Sequence, residues 1–105
     1  MSDVEYFLRS HQHDLRVHVR GDKKRISVGT AGYNTLFSCD PGSAERHFEV
    51  WRDENGCHLQ DYGKGTLVDD KIVRNGKVDL QNNSKIFVSS GMIDKYTLEE
   101  FVRKK

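Results

Sequence analysis

Apolar and polar residues alternate with a period of two along nearly the whole chain, and no segment carries the 3.6-residue stripe of a long helix. Leu15, Val17 and Val19 alternate with Arg16, His18 and Arg20, and Ile26 and Val28 with Arg25 and Ser27. The pattern recurs over residues 35–39, 47–52, 57–62, 66–68, 78–80 and 85–89. Such a period puts successive side chains on opposite faces of a strand, so each run has one face to bury. Turn chemistry separates the runs: Gly21-Asp22, Asp40-Pro41-Gly42, Asn55-Gly56 and Asn75-Gly76. Asn-Gly tolerates the positive φ of a tight hairpin, which both Asn-Gly pairs are expected to close. Turns at roughly ten-residue spacing predict an all-β, small antiparallel sandwich and exclude βαβ units. Glu5 to Arg9 reads as an opening strand. Tyr96 to Val102 reads as a closing strand that turns helical at its tail, because Thr97-Leu98-Glu99-Glu100 also fits a capping box.

With 105 residues the chain has room for one core, and residues 1–105 are read as one domain. Seventeen Lys and Arg against sixteen Asp and Glu leave a net charge of +1, which disfavours a generic polyanion binder. Positive charge gathers at Arg20, Lys23, Lys24 and Arg25 and again at Arg103, Lys104 and Lys105, a solvated turn and a solvated tail. Only Cys39 and Cys57 are present, no run approaches a membrane span, and MSDVEYF lacks an apolar signal core. An intracellular protein, nuclear or cytoplasmic, with free thiols is expected.

No cluster reads as catalytic. His11 and His13 share a side only if extended, and a structural zinc site needs about four ligands, so no metal is expected. Asp69 and Asp70, taken as strand neighbours, face opposite ways and make no acid–base pair. Ser43 and His47 have nucleophile and base chemistry but no accompanying oxyanion signal. The glycines at 29, 32, 63 and 65 open no helix, so no nucleotide cofactor is expected. If Phe48 and Val50 face the core, Trp51 faces outward and is a candidate sheet-face contact.

Four segments, in order, carry a resemblance. Ile26-Ser27-Val28-Gly29 is similar to the strand ending in Gly-Arg of forkhead-associated (FHA) domains. Ala44-Glu45-Arg46-His47, with its apolar strand, resembles that family's Ser-Arg-x-His segment. Asp61-Tyr62 and then Gly65-Thr66-Leu67-Val68 resembles its Asp and Asn-Gly-Thr block, and Leu80 through Val88 its last ladder. The likeness spans roughly residues 6–101. It implies a two-sheet sandwich, usually part of a larger chain, that binds phosphothreonine peptides at its loop ends. In the family the arginine after the glycine and the serine before Arg-x-His contact the phosphate, and the asparagine before Gly-Thr holds the peptide backbone. Here those positions are Thr30, Ala44 and Lys64, and the loop before Gly65 is short. Gly29 and His47 survive in structural roles.

The leading expectation is therefore a non-catalytic protein-interaction module with an altered or lost phosphothreonine site. Its contacts are expected at Thr30, Tyr33, Ser43, Arg46, Lys64, Gly65 and Thr66. The partner is another protein, phosphorylated or not, with a second copy of the chain as a variant and no membrane. The rival expectation is a small nucleic-acid-binding β-barrel that uses the basic turn 20–25, with Tyr33 and Phe37 as stacking platforms.

Overall fold

The computed structural model describes residues 4–22 and 24–102. Eleven strands run in chain order: β1 (Val4–Ser10), β2 (Leu15–Val19), β3 (Ile26–Gly29), β4 (Leu36–Phe37), β5 (Phe48–Asp53), β6 (Gly56–Asp61), β7 (Thr66–Val68), β8 (Lys71–Val73), β9 (Lys77–Leu80), β10 (Lys85–Phe87) and β11 (Lys95–Val102). They form a six-stranded sheet of order β2-β1-β11-β10-β7-β8 and a five-stranded sheet of order β4-β3-β5-β6-β9. All pairings are antiparallel except β3–β4, which is parallel.

The inward residues of both sheets meet in one core. Ile26, Val28, Phe48, Val50, Leu59, Leu80, Ile86 and Val88, chosen by alternation, are all buried, joined by Leu8, Val19, Tyr96 and Leu98. The Phe48 ring meets Tyr96 edge-on at 5.5 Å, linking the two layers.

Three local expectations need correction. The closing segment is strand through Val102, because β11 lies between β1 and β10 and its ladder satisfies the backbone that a helix would have used. Asn75-Gly76 joins no hairpin: β8 and β9 belong to different sheets, and Asn75 takes the left-handed φ of 51° where the chain crosses over. The tight turn with two positive φ angles is Asp69-Asp70 (50° and 70°), between the paired Val68 and Lys71. It is braced by the Asp69 carboxylate, which accepts the Lys85 N–H at 2.9 Å. These two aspartates are therefore turn residues and not strand neighbours.

Trp51 lies on the outer face of its sheet, as alternation requires, but it is only 7% exposed. The Arg25 guanidinium sits 4.0 Å over its ring, and the His58 ring stands 5.5 Å away on the paired strand. Little of the indole is left for a partner. The basic turn is similarly engaged: Arg20 pairs with Asp22 at 3.4 Å and Arg25 with Glu49 at 3.1 Å. Two packed sheets replace the closed barrel that the nucleic-acid reading required. Lys23 and the basic tail at 103–105 lie outside the described residues.

Because Trp51 is the one tryptophan in the chain, its cover is directly readable. Arg25→Ala is expected to shift Trp51 emission to the red and to cost about 0.5–1 kcal/mol of stability. Emission identical to that of the parent would show that the guanidinium does not shield the ring.

Candidate functional site

The loops after β3, β4 and β6 converge at one end of the sandwich, and backbone contacts hold them there. A Cβ on Gly29 would stand 2.1 Å from the Glu45 carbonyl oxygen, so only glycine lets the segment before β5 lie on the end of β3. Across that contact Thr30 N–H donates to the Ala44 carbonyl at 3.0 Å and Ala31 N–H to the Glu45 carbonyl at 3.2 Å. The Asn34 amide closes the same junction, donating to the carbonyls of Ala31 and Glu45 at 2.8 and 2.6 Å.

His47 joins this pair of loops to the β6–β7 turn. Its Nδ1 accepts the Ala44 N–H at 3.0 Å, which leaves Nε2 to donate to the Gly65 carbonyl at 2.8 Å. The ring is completely buried. Ser43 makes no hydrogen bond with it: the Ser43 hydroxyl donates to the Ala44 carbonyl at 3.2 Å, so the nucleophile–base arrangement does not form.

Beneath the turn lies Asp61, buried and ionised in place by four donors. Thr66 Oγ1 donates at 2.6 Å, Gly63 N–H at 2.7 Å, Asn75 N–H at 2.8 Å and Gly65 N–H at 3.1 Å. Burial pushes the Asp61 carboxyl up, but the Thr66 hydroxyl and the N–H groups of Asn75, Gly63 and Gly65 outweigh it and hold the group below its ordinary value. Gly63 and Gly65 carry φ of 118° and 98°, which a turn this tight demands. Thr66 is thus a buried strut and offers no surface to a ligand.

Of the expected contact residues, Thr30 lies against Ala44, and neither side chain brings a charge. Arg46 is drawn to the outer face, where its Nε lies 3.9 Å from Glu49 and its guanidinium lies 5.5 Å from the Tyr33 ring and 5.6 Å from the Tyr62 ring. Tyr62 also donates to Glu49 at 2.5 Å. Tyr33, Phe37 and Tyr62 are 62%, 50% and 40% exposed around these loops. Lys64 is exposed at the tip of the β6–β7 turn.

Several organising residues escaped the sequence reading. Asp40 and Asp94 are both buried and tie the β4–β5 loop to the β10–β11 loop. Asp40 accepts the Ser89 hydroxyl at 3.0 Å and the Gly42 N–H at 2.8 Å, and Asp94 accepts the Ser38 hydroxyl at 2.8 Å and the Cys39 N–H at 3.0 Å. Asp40 beside Pro-Gly carried an Asx-turn signal; Asp94 carried none, because its partners lie more than fifty positions away.

Two expected outcomes follow from the buried network. His47→Ala lowers stability by roughly 1–3 kcal/mol, because the Ala44 N–H and the Gly65 carbonyl lose their partner; a parental melting point would make His47 a ligand contact instead. Asp61 stabilises the fold above its unfolded-state pKa, and that contribution is lost as pH falls through its lower folded-state value. Thermal unfolding against pH is therefore expected to show a smaller loss on acidification for Asp61→Asn than for the parent. At neutral pH the variant is expected to be less stable by about 2–3 kcal/mol. Parallel acid limbs would contradict the depressed pKa.

Comparison with known proteins places this geometry. The family model described as FHA domain matches residues 9–88. None of the curated proteins matches the chain in sequence. Among solved structures, the chain is similar to the FHA domain of the CT664 protein from Chlamydia trachomatis, at 14% identity and a TM-score of 0.79 over 92% of this chain and 98% of that one. The FhaA FHA domain, solved with the intracellular domain of Rv3910, shares 18% identity at a TM-score of 0.74, covering 90% of this chain and 99% of that one. The MEK1 FHA domain, solved with a phosphothreonine peptide of HOP1, shares 14% at 0.71, covering 90% and 94%. At these identities the likeness is one of fold, and the family match adds the segments that organise the loop end. On that match the chain belongs to the FHA-domain family.

Proposed function

We propose that this domain is a non-catalytic protein-interaction module that has lost the phosphothreonine chemistry of its family and holds a larger protein surface at its loop ends, inside the cell. The observation that carries the reading is the Thr30–Ala44 junction. It unites the two positions where the family presents an arginine and a serine, and it offers one hydroxyl and one methyl. A phosphate carries nearly two charges and three acceptor oxygens, which an arginine fork meets bidentately. Without that fork, a charge-assisted contact of about 1.5–3 kcal/mol is missing.

Arg46 does not replace it in this geometry, since Glu49 and the two tyrosines hold it on the outer face. Lys64 is exposed, and attraction between exposed charges is worth about 1 kcal/mol or less. Tyr33 and Tyr62 supply what an interface with a folded partner uses, rigid aromatic area with polar tips beside Arg46, and Phe37 adds exposed apolar area. The related FhaA domain was solved with a protein domain, which supports a protein partner here. A second copy of the chain is a further occupant that the same surface admits.

A degenerate phosphothreonine peptide library, read by calorimetry at physiological salt, tests the reading. Simple phosphothreonine peptides are expected to bind poorly and with little dependence on the phosphate. Low-micromolar, phosphate-dependent binding that Arg46→Ala or Lys64→Ala abolishes would show a rewired site in place of a lost one.

A further inference from the structure

Among the described residues, Arg74 is the one arginine with neither a hydrogen bond nor an ion pair. Arg9, Arg16, Arg20, Arg25 and Arg46 each face a carboxylate, and Arg52 donates to the Val4 carbonyl. Arg74 follows β8, and the missing Cβ of Gly65 lets it fold against the β6–β7 turn: a methyl there would stand 3.3 Å from Nη2 and 3.4 Å from Nε. Lys64, one residue before that glycine, also has no ion pair among the described residues.

These two cations line a cleft of about 190 Å³ between the β6–β7 turn, the end of β8 and the β10–β11 loop. Ser89 and Ser90 form its far rim, and Leu67 and Ile72 its apolar wall, with Ile72 62% exposed. Ser89 already donates to Asp40, whereas the Ser90 hydroxyl has no partner among the described residues. The cleft around Arg20, Lys24 and Arg25 is a weaker anion site, because two of its three cations are already neutralised by Asp22 and Glu49.

We propose that the Lys64–Arg74 cleft takes the side-chain carboxylate of an acidic residue on the partner protein, with a neighbouring apolar side chain laid against Leu67 and Ile72. Two unpaired cations at one opening attract an anion, and the planar guanidinium suits a carboxylate's two oxygens. The ligand is a single charge because the carboxylates of Asp40 and Asp61 are buried at the edges of the cleft, bonded to Ser89 and to Gly65, and their negative charge offsets part of the attraction a dianion would need. This inference rests on the reading of the domain as a protein-interaction module and adds the chemistry of one contact.

Amide NMR on the full chain tests it with three blocked peptides: Leu-Glu-Glu-Leu, its Leu-Gln-Gln-Leu counterpart, and a version with phosphothreonine in place of the first glutamate. The acidic peptide is expected to move the amides of Gly65, Asn75, Ser89 and Ser90, and the glutamine peptide to leave them in place. Combined Lys64→Ala and Arg74→Gln changes are expected to weaken the acidic peptide about tenfold with an unchanged melting point; a single Lys64→Glu reversal at the exposed tip serves if the pair unfolds. No shift with any peptide, equal shifts with glutamine, or tighter seating of the phosphopeptide in this cleft would overturn the inference. Phosphate-dependent shifts confined to Thr30 and Ala44 would instead overturn the proposed function.

Discussion

The carboxylate of Asp61 is the constraint on which the loop end depends. A buried carboxylate is stable only when donors surround it, and here they come from three places in the chain: the β6–β7 turn, the start of β7 and the crossover after β8. The chain must therefore bring Gly63, Gly65, Thr66 and Asn75 around one point before the charge can be enclosed. His47 extends the same logic to the other two loops, with each ring nitrogen bonded to the backbone of a different segment. Gly29 completes it by removing the one methyl that would hold the segments apart.

This arrangement separates the scaffold from the ligand chemistry. The Asp61 carboxylate and both His47 ring nitrogens are buried and bonded within the protein itself, so these contacts need nothing from the side chains at the outer positions. Thr30 and Ala44 occupy the junction that the network builds, yet neither takes part in it through its side chain. On the proposed reading, substitution there changes the groups that the loop end presents and leaves the buried contacts in place. Arg46 shows the corollary. Its charge is close in sequence, but Glu49 and two tyrosine rings hold it on a different face.

The sequence exposed what depends on local period and missed what depends on folding back. The inward set from Ile26 to Val88 was legible because alternation is a property of neighbours. Strand β8 was not, since Lys71-Ile72-Val73 is a three-residue edge in which Ile72 stays exposed and only Val73 turns to the core. Asp69-Asp70 lacks the glycine that usually marks two positive φ angles, whereas Asn75-Gly76 has the mark and serves a crossover between sheets. The capping box at Thr97 was a true local preference that the β1 and β10 ladders overrode. Trp51 was placed on the correct face, but its cover by Arg25 requires knowing that β3 lies beside β5. Arg74 and Asp94 were invisible for the same reason: their roles arise from contacts across the fold.

On the proposed reading the scaffold is kept and the ligand-contacting groups are lost, among them the two that meet the phosphate. Restoring those two is the most direct test. Thr30→Arg combined with Ala44→Ser places a fork and a hydroxyl at a junction that the network already holds. Calorimetry with a phosphothreonine peptide pool is expected to show affinity rising by about tenfold or more over the unmodified chain, with the melting point preserved. Equal phosphate-dependent affinity in the unmodified chain would contradict it.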